Sequence, residues 1–305
     1  MLPSSKQRYF FIGSLSGVLA NVLLGFSSVF WRYIGSLSAV ELVAYRVYLS
    51  LLTVFLILCA CKGVGRFFAQ LNIRLLFVHA LAALLLAVNW GVFIWASIHG
   101  RVLESSFGYL VAPIISIAAG VVLYKEPVTI CKVVAVVIMV ISVLWLLVLN
   151  DELVVKFSLA MAMSWGGYSC LKKMTSLNVF NGLFLESSVL AFFYTLILLY
   201  SDLSMAIPED FGLERTILVF SCGVVSIVPL ALFSLSAKRL TMTSMGLLQF
   251  VLPVTQFFVA AVIYRQEFST AVLCVLLVVI SGLALVVLEP FVKNRFSRKR
   301  GQYGA

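Results

Sequence analysis

The chain has 305 residues, of which 63% are hydrophobic and only 11% charged, with a formal net charge of +10. Its mean hydropathy of +1.12 lies far outside the range of soluble globular domains, so no water-soluble fold hides this much apolar surface. The positive charge is spread over short connectors rather than gathered on one face, which reads as membrane topology and attraction to anionic headgroups, and argues against nucleic acid as a partner.

In chain order, apolar runs predict spanning helices at 9–31, 38–61, 74–98, 103–123, 128–149, 153–171, 181–200, 216–237, 243–264 and 269–290. A hydrocarbon core of about 30 Å takes about 20 residues of helix, and backbone groups in lipid must be satisfied within the segment. The first run follows Lys6 and Arg8, outlasts a signal-peptide core and has no clear small-residue cleavage site, so it reads as a retained helix. The predicted fold class is an all-α polytopic membrane protein with ten transmembrane helices.

Basic residues concentrate in every second connector. With the N-terminus inside, the inner side collects Lys6, Arg8, Lys62, Arg66, Arg74, Lys125, Lys132, Lys172, Lys173, Lys238, Arg239 and the tail residues Lys293, Arg295, Arg298, Lys299 and Arg300. Most acids then lie outside: Asp151, Glu152, Asp202, Glu209, Asp210, Glu214 and Glu267. The positive-inside rule thus makes both termini cytoplasmic. Cys59, Cys61, Cys131, Cys170, Cys222 and Cys274 lie in or beside spans without metal-ligand spacing, so they read as small core hydrophobes, with no metal and no disulfide implied.

The second half repeats the first at a nearly constant offset. The run Gly108 to Pro113 leading to Tyr124-Lys125-Glu126 is matched by Leu248 to Pro253 leading to Tyr264-Arg265-Gln266-Glu267, with the same interval from proline to tyrosine. Gly17, Asn21 and Gly25 recur as Ser158, Ala162 and Gly166, a small-residue stripe on one helix face. Five helices per half is an odd number, so the second half enters the membrane from the opposite side. The chain therefore divides into two inverted five-helix repeats, 1–150 and 151–291, and a basic cytoplasmic tail, 292–305. Such repeats suit alternating access about a midplane site; a duplication kept only for packing is the alternative. The stripes Gly13, Gly17, Asn21, Gly25 and Gly108, Ala112, Ser116, Gly120 mark closely packed helices, where Gly17→Leu is expected to impair assembly.

The ten-span layout, the paired repeats and the proline-bearing fourth and ninth spans resemble the drug/metabolite transporter superfamily and its EamA-type permeases. Within it, Glu41 to Arg46, Asn89 to Ala96, Leu103 to Tyr109 and Gly246 to Phe250 are similar to the RarD permeases, named as chloramphenicol-sensitive, and the resemblance runs from about Phe10 to Glu289. It implies an inner or plasma membrane permease without a cofactor, for an amino-acid-like, amphipathic or S-adenosylmethionine-type cargo. One departure stands out. That family usually closes its fourth and ninth helices with a Gly-Glu pair, where this chain has Lys125-Glu126 and Arg265-Gln266, with Glu267 displaced by one residue.

Charge near the centre of a membrane helix costs about 2.5–3.5 kcal/mol or more, so ionisable residues inside spans are functional candidates. Arg46 lies about 12 Å into the second span, too deep for easy snorkelling, and reads either as a donor fork for a substrate carboxylate or other polar group, or as a structural arginine. Glu41 and Glu186 enter the second and seventh spans from opposite sides, at matching places in the two repeats, and are candidates for mirror-related gating or proton coupling. Burial would let such a carboxylate carry a proton provided no cation holds it charged; wet helix ends are the alternative. Asn89, Trp90, Tyr109, Tyr168 and Gln249 complete the candidate substrate wall, although Asn89 and Gln249 also suit helix-to-helix hydrogen bonding. Pro113 and Pro253 are candidate bending points. Trp31 and Trp145 read as interfacial anchors, His79 as a satisfied interior residue and His99 as an exposed loop residue.

No catalytic constellation, phosphate loop or metal-ligand spacing is present, which argues against an enzyme. A channel or a structural membrane scaffold remains the competing class. The expected partners are a small-molecule substrate and the lipid bilayer, with monomer and homodimer both open.

Overall fold

The computed structural model of the chain describes residues 5–35, 37–148, 152–200, 205, 212–282 and 284–285. Asp151, Asp202, Glu209, Asp210 and the basic tail 292–305 lie outside the described residues, as do the side chains of Lys6 and Arg66. The helices are α1 (Ser5–Tyr33), α2 (Ala39–Ala60), α3 (Val64–Gln70), α4 (Ile73–Ile98), α5 (Val102–Val122), α6 (Ile130–Val148), α7 (Glu152–Met174), α8 (Val179–Tyr200), α9 (Gly212–Arg239), α10 (Met242–Gln249), α11 (Val251–Phe258) and α12 (Thr270–Gly282), with a π-helical turn at Val259–Ile263 after α11.

A helix lies over each predicted span, and 7 segments are long and apolar enough to cross a membrane among the described residues. Ile130–Leu146 and Thr270–Gly282 are shorter apolar helices. The short α3 was not anticipated; it seats Phe67 edge-on to Phe184 at 5.1 Å. Polar caps start the helices where the apolar runs begin. Ser38 and Glu41 form a reciprocal capping box at α2, and Asn72 Oδ1 accepts from the Leu75 amide at 2.9 Å to start α4.

The helix pairings follow the sequence repeat. The offset carries α1 to α7, α2 to α8, α4 to α9, and α5 to α10 with α11. Under that exchange, α5 packed on α7 becomes α10 and α11 packed on α1; α1 on α9 becomes α7 on α4; and α2 on α9 becomes α8 on α4. The contacts of α5 with α10 and of α2 with α8 map onto themselves. Small residues make the close approaches. A Cβ at Gly17 would stand 2.7 Å from Ser236 Oγ and 2.8 Å from Leu248 Cδ1, while one at Gly108 would stand 2.7 Å from the Ser158 carbonyl oxygen. These two crossings are equivalents, since Ser158 and Leu248 correspond to Gly17 and Gly108.

The tightest approach was not read from sequence. At Gly223, where α9 meets α2, a Cβ would overlap the Leu49 carbonyl and lie 2.6 Å from Thr53 Oγ1. Gly91, by contrast, has nothing within 4 Å of its Cβ position. Gly223→Ala and Gly17→Leu should therefore lower the thermal unfolding midpoint of the purified protein, each costing about 1–3 kcal/mol or more by overpacking, while Gly91→Ala leaves it nearly unchanged. Equal midpoints for Gly223→Ala and Gly91→Ala would contradict this packing.

Candidate functional site

Arg46 sits two turns into α2, held there by the Ser38–Glu41 cap that fixes where the helix begins. Its side chain is 2% exposed. The guanidinium lies between two indoles, 3.8 Å from the Trp90 ring centroid on α4 and 5.0 Å from that of Trp31 on α1. Its Nε and Nη1 are buried with no hydrogen-bond partner, and no carboxylate among the described residues forms an ion pair with it. Cation–π attraction, about 2 kcal/mol when desolvated, offsets only part of the cost of burying that charge.

Aromatic and amide groups continue the wall from Trp90. Asn89 Oδ1 accepts from the Tyr109 hydroxyl at 2.9 Å, and its Nδ2 donates to Ser164 Oγ at 3.3 Å, tying α4 to α5 and α7. Tyr109 meets Phe93 and Trp165 edge-on, at 6.0 and 6.2 Å between centroids. Trp165 stacks on Tyr168 at 5.6 Å, and Phe233 of α9 packs 4.7 Å from Trp165. Gln249 Oε1 accepts from Ser116 Oγ at 3.2 Å, while its Nε2 is buried without a partner. Asn89 thus spends its amide on helix contacts, whereas Gln249 keeps a free donor.

A second charged centre lies near the start of α8. Glu186, 1% exposed, accepts from Lys172 Nζ at 2.9 Å and from the Tyr168 hydroxyl at 3.1 Å. His79 Nδ1 stands 2.7 Å from Glu186 Oε1, and His79 Nε2 is 2.7 Å from Thr175 Oγ1. Lys172, expected on the inner surface as a topology residue, is therefore buried as the counter-ion of Glu186. That cation removes the condition under which Glu186 alone would carry a proton.

The two centres occupy corresponding places in the repeat. Arg46 and Glu186 have the same position in α2 and α8, and Trp31 and Lys172, their neighbours, have the same position in α1 and α7. Glu41 is not the counterpart of Glu186: it is a partly exposed cap residue accepting from the Ser38 amide at 2.8 Å, and its counterpart Asn181 follows the N-terminal residue Asn178, whose Oδ1 accepts from the Asn181 amide at 2.8 Å. Trp31, expected as an interfacial anchor, is fully buried, whereas Trp145 is 52% exposed. The repeat offset was the signal that pairs Trp31 with Lys172 and Arg46 with Glu186.

Pro113 lies inside a continuous α5, but Pro253 follows a break between α10 and α11 at Phe250. Each removes the hydrogen bond to the carbonyl four residues earlier, that of Tyr109 or Gln249. The connectors after these helices also correspond: Lys125 and Arg265 have φ of 50° and 51°, the left-handed region that a glycine adopts without strain. Glu126 accepts from the Met242 and Thr243 amides at 2.6 and 2.7 Å, capping α10. Gln266 instead donates to the Gly100 carbonyl, so it and not Glu267 takes the place of Glu126. Burial raises the Glu126 carboxyl, but the Thr243 and Met242 hydrogen bonds and the charge of Lys173 outweigh it and leave it below its ordinary value. A groove of about 530 Å³ between α6 and α12, lined by Val134, Ile138, Leu277 and Leu285 among others, carries no charged side chain.

The class defined by these helices and this buried polar site is a polytopic α-helical membrane transporter. No family model matches the chain. The chain is 32% identical to the protein RarD of Streptomyces exfoliatus, covering 87% of this chain and 84% of that protein, and it belongs to the RarD family. It is also 29% identical to the uncharacterized transporter YojE of Bacillus subtilis, over 85% of this chain and 88% of that one. A solved crystal structure superposes with a TM-score of 0.66 at 15% identity, covering 90% of this chain and 96% of that chain, a likeness that carries the fold alone.

Removing one member of a buried ion pair orphans the other, so Glu186→Ala should cost about 3–5 kcal/mol in unfolding measurements, with much of the loss recovered when Lys172→Met is added. Arg46→Met orphans no counter-ion and should leave stability within about 1 kcal/mol or raise it, since it removes a desolvated charge. A large loss in Arg46→Met would instead mark Arg46 as a structural residue. At the α10 cap, Glu126→Ala should cost about 0.5–2 kcal/mol at neutral pH. Because the folded carboxyl lies below 4.5, this contribution is present above that pH and lost as pH falls through the folded value, so parent and variant should converge in acid.

Proposed function

We propose that the protein is a secondary-active permease of the inner membrane that moves a small organic metabolite or drug by alternating access. Its two five-helix repeats, 1–150 and 151–291, enter the membrane from opposite sides, and both termini and the tail 292–305 are cytoplasmic. The observation that carries this reading is the correspondence of Arg46 and Glu186: two of the deeply buried charges sit at one position of the repeat, in helices whose pairings exchange with the repeat. A fold with two such halves has two facing states of similar energy about a central site. Arg46, Trp90, Tyr109 and Gln249 form the substrate wall with Asn89 and Tyr168, and the freed carbonyls at Pro113 and Pro253 let the fourth and ninth helices bend between states.

Coupling, in this reading, runs through the Glu186 centre. The Lys172–Glu186 pair is neutral as a unit, and His79 joins it to Thr175, with its two ring nitrogens 2.7 Å from Glu186 Oε1 and from Thr175 Oγ1. Glu41, a partly exposed cap residue, has no part in it.

Counterflow in liposomes tests the reading: a cargo loaded on one side should drive uptake of labelled cargo from the other, with saturation. His79→Gln should retain counterflow but lose accumulation driven by a pH gradient. Fast, non-saturable flux without counterflow would make the protein a channel, and pH-driven accumulation surviving in His79→Gln would remove coupling from this centre.

A further inference from the structure

We infer that the Arg46 site takes an organic monoanion, a carboxylate carried on an apolar or aromatic body, as its cargo. This rests on the permease reading above and narrows it to a substrate class. The guanidinium is buried, its Nε and Nη1 are open, and no protein carboxylate neutralises it among the described residues. A planar oxyanion is the complement of such a fork, because it supplies both the missing charge and the missing acceptors. Trp90 and Trp31 lie against the guanidinium, their ring centroids 3.8 and 5.0 Å from its carbon, and leave the unpartnered Nε and Nη1 as its unmet donors.

The body of the ligand follows from what surrounds that fork. Tyr109 meets Phe93 and Trp165 edge-on, at 6.0 and 6.2 Å between centroids, an arrangement suited to an apolar or aromatic group and poor for a hydrated inorganic ion. The charge count of the interior favours a monoanion over an amino-acid zwitterion. A ligand ammonium would need a buried carboxylate, and Glu186, the only buried acid among the described residues, is already held by Lys172, His79 and Tyr168.

The test uses the full-length purified protein and matched ligands of one shape: phenylacetate with phenylacetamide, phenylpropanoate with its amide, hexanoate with hexanamide, then phenylalanine and chloride. Calorimetric titration should find at least one carboxylate binding about tenfold or more tightly than its amide, as hydrogen bonds to a charged group predict. Arg46→Gln should abolish that preference and Arg46→Lys should keep part of it. The inference is overturned if no carboxylate outbinds its amide, if Arg46→Gln keeps the preference, if phenylalanine binds better than phenylpropanoate, or if chloride alone binds. Failure of the two readings is separable. Carboxylate binding without counterflow would end the permease reading and leave the anion site, whereas counterflow of amides or amines alone would keep the carrier and remove the anion.

Discussion

A charge buried in a membrane protein must be neutralised, and much of this molecule is arranged around two that are met differently. Glu186 has a complete set of partners in Lys172, His79 and Tyr168, drawn from α4 and α7, which must be held in register with α8 for the set to close. Arg46 has two indole faces and no counter-ion among the described residues. The first centre strengthens the fold; the second weakens it and leaves a charge for something else to satisfy. A protein that keeps such an unpaired cation at depth keeps it for use rather than stability.

The two halves pair their helices in corresponding ways and differ in chemistry. Trp31 and Arg46 in the first occupy the places of Lys172 and Glu186 in the second. After α5 and after the π-turn, Lys125 and Arg265 take the same left-handed conformation, yet Glu126 caps α10 as an anion while Gln266 offers only a neutral amide to Gly100. The Glu126 contact is therefore charged and the Gln266 contact neutral. The glycines at the crossings, Gly17 against α9 and α10 and Gly108 against α7, let the halves approach to backbone contact without interlocking side chains.

Much of the fold was legible because the bilayer imposes it. Apolar runs of spanning length, Ser38 and Asn72 at helix starts, and the prolines at one repeat position gave helices where they stand. Arg46, Trp90, Tyr109 and Glu186 were legible because an ionisable or aromatic side chain in such a run needs a protein neighbour. What sequence could not give was which face of a helix meets which partner. Trp31 and Lys172 both lie near helix ends, where depth alone does not separate an interfacial anchor or a surface cation from a buried residue. Gly223 drew no notice, since its role depends on the path of α2 beside it. Glu41 was matched to Glu186 by chemical type, whereas the repeat offset aligns Glu186 with Arg46.

The most direct test of the central claim is a pair of spin-label distances in a cysteine-free background, one across the inner connectors at Lys125 and Thr241, the other across the outer ones at His99 and Arg265. Adding cargo should move the two distances in opposite directions, one end closing as the other opens. Distances that stay fixed, or that lengthen and shorten together, would contradict a carrier built from two facing halves.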